Sequence, residues 1–235
     1  MIHLDAVTAH RAAKLALRDV TLQIPSATLT ALIGPNGAGK STFLGQISGR
    51  LHPSTGTVAV GGTVAEVLQT TAVDPQVRLT VHDVVAMGRY PSRGHLRPFR
   101  PIDREAVSRA IHAVDLDLLR HRTLDQLSGG QRQRALIAQG IAQDAEVLLL
   151  DEPAAGLDVR SQRRILEIMR AEVDRGRTVV FSTHHLPDAS CADLVVALDR
   201  TLVCCDAPDI AMDRPDVRAL FDPFTDAPHR TPALV

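Results

Sequence analysis

The most constraining stretch of this chain is Gly34-Pro35-Asn36-Gly37-Ala38-Gly39-Lys40-Ser41. It fits the pattern G-x-x-x-x-G-K-[ST], in which a glycine-rich turn curls so that successive backbone N–H groups point inward. That pattern has chance matches, and its setting decides between them. Here the apolar run TLTALI precedes it and STFLGQIS follows. Strand, loop and helix in that order aim the amides and the positive end of a helix dipole at one point, which is a site for phosphate. A buried strand leading into such a loop also implies an α/β fold built on a parallel sheet.

The rest of the chain reads consistently with that core. IHLDAV, LRDVTLQI, GTVAV and TVAEVL are short strands, giving an N-terminal part of antiparallel character. From residue 79 the period changes: VHDVVAMGRY, DREAVSRAIHAVDLDLL and SGGQRQRALIAQGIAQ place apolar residues three and four apart, as helices do. VLLLD and TVVFST are wholly apolar strands, and the amphipathic helix SQRRILEIMRAEVDRG between them is closed by Gly176. DLVVAL and TLVCC are further strands after a helix near Asp188, and a short helix is expected at residues 216–220. The expected organisation is one domain over residues 1–222, a mainly helical insertion at about 79–140, and a loose tail over 223–235.

Of the 26 basic residues only Lys14 and Lys40 are lysines, and basic and acidic residues nearly balance at a net charge of −1. No broad nucleic-acid footprint is expected from that balance. Aromatics are 3% with no Trp, which argues against base stacking on a protein surface and against a membrane belt. Cys191, Cys204 and Cys205 form no CxxC and suit a reducing compartment. The first residues lack a signal-peptide layout, and no apolar stretch approaches the ~20 residues of a membrane span.

Lys40 would bring a mobile positive charge to the outer phosphates, and the Ser41 hydroxyl would reach a magnesium ion. Asp151 and Glu152 end the apolar strand VLLLD; neighbouring strand residues face opposite ways, so the two carboxylates suit different roles. Asp151 would hold Mg²⁺ and Glu152 would polarise an attacking water. In Leu127-Ser128-Gly129-Gly130-Gln131-Arg132-Gln133-Arg134, Ser128 caps a helix whose first N–H groups the glycines expose, a second anion-binding helix start.

LSGGQRQR resembles the signature of ABC-type ATPases, and the resemblance extends over roughly residues 1–215 with the motifs in the family's order. It implies a P-loop NTPase core with an antiparallel β part and a helical signature subdomain. It also implies ATP with Mg²⁺ as ligands, and hydrolysis at a site shared by two copies packed head to tail. Carried over residue by residue, Gly34 to Ser41 with Thr42 form the phosphate loop, and Asp151 and Glu152 match the family's metal-holding aspartate and catalytic glutamate. Ser128, Gly129 and Gly130 would reach the partner's nucleotide. Ala155-Gly156-Leu157-Asp158 resembles the D-loop, with Gly156 unusual and Asp158 retained. His184 matches the switch histidine, while His185 stands where Asp is usual. The glutamine loop falls to Gln69 rather than Gln76, because Gln69 directly follows a strand; it would touch Mg²⁺ and water. No aromatic residue precedes the phosphate loop, so His10 or Arg11 takes the base-stacking position.

The resemblance further implies a separate integral membrane permease and, indirectly, an extracytoplasmic substrate-binding protein, with this chain on the cytoplasmic face of the membrane. Leu79 to Tyr90 resembles the ATPases of metal-chelate importers, and the spacing from Gln69 favours manganese or zinc over siderophore iron or haem. The segment from Arg89 to Arg100 carries Arg89, Arg93, Arg97 and Arg100 without an acid, and reads as a face towards the permease.

Overall fold

A computed structural model describes residues 1–11, 14–68, 78–93 and 98–221. Strands β1 (Ile2–Arg11), β2 (Lys14–Ile24) and β3 (Leu29–Ile33) lead into helix α1 (Lys40–Ile47), followed by β4 (Thr55–Val60) and β5 (Val64–Val67). Helices α2 (Val81–Met87), α3 (Tyr90–Arg93), α4 (Pro101–Ala113) and α5 (Gly129–Ile141) form the insertion. The chain then alternates: β6 (Val147–Leu150), α6 (Val159–Asp174), β7 (Thr178–Thr183), α7 (Leu186–Ala189), β8 (Leu194–Asp199), β9 (Thr201–Asp206), α8 (Pro208–Asp213) and α9 (Pro215–Ala219).

Two sheets result. β2-β1-β4 is antiparallel, and the larger sheet runs β5-β6-β7-β3-β8-β9, parallel except for β9. β3, β6 and β7 are buried along their whole length, which is why they read as unbroken apolar runs. One face packs on α1 and the small sheet through Leu32, Phe43, Leu149 and Val180; the other packs on the insertion and α6 through Ile33, Leu150, Ile165 and Phe181. β3 and β6 end side by side with β7 between them, so the loops after these strands gather at one edge.

Two helices are shorter than their patterns predict. The apolar period over residues 103–119 suggests one helix, but α4 stops at Ala113, Asp115 takes a φ of +53°, and a 3-10 turn covers Asp117–Leu119. Arg134 on α5 explains the stop: its guanidinium donates to the carbonyls of Val114 (2.5 Å) and Asp115 (3.4 Å). Likewise residues 81–90 break after Met87.

Arg89 also corrects its sequence reading. Instead of facing outward, its guanidinium is buried, donating to Asp103 Oδ1 (3.1 Å) and to the carbonyls of Ala142 (2.8 Å) and Gln143 (3.3 Å). Tyr90 and Phe99 stack edge to face, 6.3 Å between centroids. They close the turn around this arginine, and Asp103 supplies the missing acid from α4. Arg97, Gln69, Gln76 and the tail over 223–235 lie outside the described residues.

Candidate nucleotide site

The glycine-rich loop joins β3 to α1 as expected. Gly39, just before the helix, has a φ of +100°, and a Cβ there would fall 2.4 Å from the carbonyl oxygen of Ala16. Only glycine lets the loop turn this way while lying flat on β2. Lys40 is 6% exposed; its ammonium donates to the carbonyls of Gly34 (2.7 Å) and Pro35 (3.2 Å). Burial pushes its pKa down, partly opposed by the charges of Glu152 and Asp151. Ala38 is buried beneath the loop and its carbonyl accepts the N–H of Arg200 (2.9 Å), so the β8–β9 turn braces the loop from below.

Pro35, Asn36, Gly37, Gly39, Lys40, Ser41 and Thr42 line a cleft of about 670 Å³ together with Glu152. Arg11, Lys14 and Arg200 line it too. This separates the two base-stacking candidates. Arg11 faces the cleft, whereas the His10 ring pairs with the Ser54 hydroxyl at 3.0 Å.

Glu152 follows β6 and sits between two cationic groups: Lys40 Nζ at 3.9 Å and His184 Nδ1 at 3.5 Å, the latter an ion pair only with a protonated ring. Its backbone takes a left-handed φ of +47°, uncommon for a residue with a side chain. Asp151 is 7% exposed and accepts the Ser182 hydroxyl at 2.6 Å. His185 turns away, its ring 3.3 Å from Asp188 and its N–H on Thr183 Oγ1, in keeping with a structural role. A buried carboxylate and a hydroxyl at the cleft are hard oxygen donors of the kind Mg²⁺ takes, so Asp151 and Ser41 fit that ion.

Ser128 caps α5, accepting the Gln131 N–H while Gln131 Oε1 accepts its own (3.0 Å). Gly129 and Gly130 follow, and a Cβ on Gly130 would lie 2.4 Å from Ser161 Oγ. Ser161 in turn donates its N–H (3.0 Å) and hydroxyl (2.7 Å) to Asp158, which caps α6. The hydroxyl bond holds the Asp158 carboxyl below its usual pKa. The signature turn and the Asp158 turn are therefore one packed unit. None of Ser128, Gly129, Gly130 or Asp158 lines the cleft of their own chain.

Ser182, Arg200 and Ser161 escaped the sequence reading. A serine inside an apolar strand carries no local signal, and only the register of β7 beside β6 brings Ser182 to the carboxylates. Cys204 is buried and burial pushes the Cys205 thiol up to about 11, as for core thiols, whereas Cys191 is exposed. Among the described residues, no group of three His, Cys, Asp or Glu gathers as a metal site, and no helix is long and apolar enough to cross a membrane.

Residues 17–155 match the family model described as ABC transporter. The manganese transport system ATP-binding protein MntA of Synechocystis is 38% identical, covering 86% of this chain and 82% of its own length. The achromobactin transport ATP-binding protein CbrD of Dickeya dadantii is 35% identical, covering 92% and 89%. A structure described as an inward-facing conformation of a metal-chelate type ABC transporter superposes with a TM-score of 0.86 at 27% identity, over 94% of this chain and 88% of that one. A dimeric ATP-binding cassette in a post-hydrolysis state with ADP and phosphate shares the fold, with a TM-score of 0.75 at 23% identity over 88% and 99%. A phosphate loop, paired carboxylates and a histidine at the ends of neighbouring strands, with a capped glycine-rich helix start elsewhere on the chain, agree with these matches: the chain belongs to the ABC transporter family and is one of its ATP-binding, ATP-hydrolysing subunits.

Proposed function

We propose that this chain powers a metal importer, with manganese or zinc as cargo, by hydrolysing ATP against a separate membrane permease. The family and the ATPase activity are its starting point; the cargo rests on the manganese and metal-chelate relatives. The achromobactin relative supports siderophore iron or haem as the second reading.

Residues 34–42 hold the triphosphate through inward N–H groups and the Lys40 charge. Arg11 lays its planar guanidinium against the base. Ser41, Asp151 and Gln69 hold Mg²⁺, which when bound neutralises phosphate charge. Glu152 accepts the proton of the attacking water, and His184, 3.5 Å away, steadies that carboxylate and the γ-phosphate. The domain spans residues 1–222 with 79–140 as its helical subdomain, and 223–235 is an appendage. The protein works at the cytoplasmic face of the membrane, bound to a permease that receives cargo from an extracytoplasmic binding protein.

One observation carries the two-copy reading. The cleft holding Lys40 and Glu152 has no contribution from Ser128, Gly129, Gly130 or Asp158, although Ser128 and Gly129 stand exposed at a capped helix start suited to anions. Two copies head to tail bring each such start to the other's cleft, closing two equal sites under C2 symmetry. Mixing tests this. Ser128→Arg and Lys40→Ala are each expected to be inactive as ATPases, and together to regain activity, because a mixed pair has one site with both halves intact. The rate per molecule of unaltered protein should rise with concentration. No rescue on mixing, with a concentration-independent rate, would refute the shared site. With the permease in liposomes, uptake of manganese or zinc rather than a ferric chelate is expected; the reverse would favour the second reading.

A further inference from the structure

Glu152 is held in a conformation that its own sequence neighbours do not favour. At φ +47° a residue bearing a Cβ is strained, so something must hold it there. The Glu152 N–H donates to Ser182 Oγ at 2.8 Å, and the same hydroxyl donates its single proton to Asp151 Oδ1 at 2.6 Å. Ser182 is fully buried on β7, which runs parallel to β6 and brings residue 182 beside residue 151. A hydroxyl has one proton and two lone pairs. With the proton committed to the carboxylate, only a lone pair faces the Glu152 N–H, so the direction of both bonds is set. Burial leaves no water to substitute for either.

We propose that Ser182 is a positioning residue for hydrolysis: its hydroxyl clamps the Asp151–Glu152 peptide so that the Glu152 carboxylate stands between Lys40 (3.9 Å) and His184 (3.5 Å). Ser182 touches neither nucleotide nor water. It acts through the backbone of its neighbour, and the inference rests on the reading of Glu152 as the base. The residues that hold the phosphates, from Gly34 to Thr42, do not bond to Ser182; its bond to Asp151 reaches binding only through the Mg²⁺ that Asp151 would hold, so its loss acts on the chemical step and leaves ATP binding without Mg²⁺ unchanged. A base displaced by about 1 Å loses up to about a hundredfold in rate.

The test compares four variants in the complete protein for steady-state ATPase, ATP affinity by calorimetry and thermal stability. Ser182→Ala removes the hydroxyl and is expected to lower kcat ten- to a hundredfold while ATP affinity measured without Mg²⁺ stays within twofold. Ser182→Val and Ser182→Thr have the same shape and differ in the hydroxyl, so the added methyl cancels between them. Thr is expected to keep most of the rate that Val loses; where the β-branched pair does not fold, the kcat and affinity of Ser182→Ala decide alone. Ser182→Ala added to Glu152→Gln is expected to cost no further rate, since the group being positioned is already gone. Full turnover in Ser182→Ala beside an inactive Glu152→Gln overturns the clamp alone. So does a folded Thr variant as slow as Val. Full turnover in Glu152→Gln instead overturns the reading of Glu152.

Discussion

Replacing Arg89 by methionine keeps the aliphatic stem and deletes the guanidinium, which isolates what that charge does. The lost bonds include those to Asp103 Oδ1 and to the carbonyls of Ala142 and Gln143. They tie the turn after α2 to the first turn of α4 and the end of α5, so three pieces of the helical insertion meet on one side chain. Asp103 would remain buried with the Arg100 N–H (3.0 Å) and a longer contact to the Arg100 guanidinium (3.5 Å). Deleting one partner of a buried ion pair costs about 3–5 kcal/mol, because the remaining charge and the carbonyls have no water to turn to. For a chain of this size about 1 kcal/mol moves Tm by roughly 2–4 °C, so Arg89→Met should lower it by roughly 6–20 °C. Calorimetry or circular dichroism on heating reads this directly. Adding Asp103→Leu should recover much of the loss, since an apolar pair of similar volume often replaces a buried ion pair well. Recovery will be incomplete, because the Arg100 N–H then lacks its acceptor. A Tm within 2 °C of the parent for Arg89→Met would refute the reasoning, above all if permease-stimulated ATPase were lost instead. That outcome would return Arg89 to the surface facing the permease.

Gly130→Ala should lower stability by about 1–3 kcal/mol, although alanine ordinarily favours a helix, because the new Cβ falls 2.4 Å from Ser161 Oγ and 2.8 Å from Ser161 Cβ. Thermal denaturation of the single variant and of Gly130→Ala with Ser161→Gly checks it, and a raised Tm in the single variant would show that propensity outweighs packing. Asp83 accepts the Thr80 hydroxyl (2.6 Å) and N–H (3.0 Å) in the first turn of α2, and the hydroxyl bond chiefly holds its carboxyl below the ordinary 3.8. A lowered folded pKa contributes stability that is present above 3.8 and lost as pH falls through the folded value. The Tm deficit of Asp83→Ala should thus be constant from neutral pH to about 5 and shrink below 4; a deficit that grows on acidification would contradict this.

The chemistry of the site was legible from the sequence because its parts are local. A glycine-rich loop between an apolar strand and a helix has few ways to fold, and the carboxylate pair, the signature cap and the histidine each sit at the end of a recognisable element. Strand and helix types followed from period, and burial on both faces of β3, β6 and β7 from unbroken apolar runs. Periodicity says which side of an element turns inward, but not what it meets there. So the sequence left His10 and Arg11 open, whereas the fold sets Arg11 on the cleft and the His10 ring on Ser54. It ran the pattern of α4 past Ala113, where Arg134, twenty residues away from Val114, takes the terminal carbonyl. It read Arg89 as an outward cation, because the buried acid that neutralises it lies fourteen residues on. Ser182 had no local mark at all; β6 and β7 are joined by a whole helix, and only their parallel register sets one hydroxyl between the Asp151 carboxylate and the Glu152 N–H. What the chain's own neighbours decide, the sequence states; what distant segments decide by burying a charge or offering a single proton exists only once the sheet has formed.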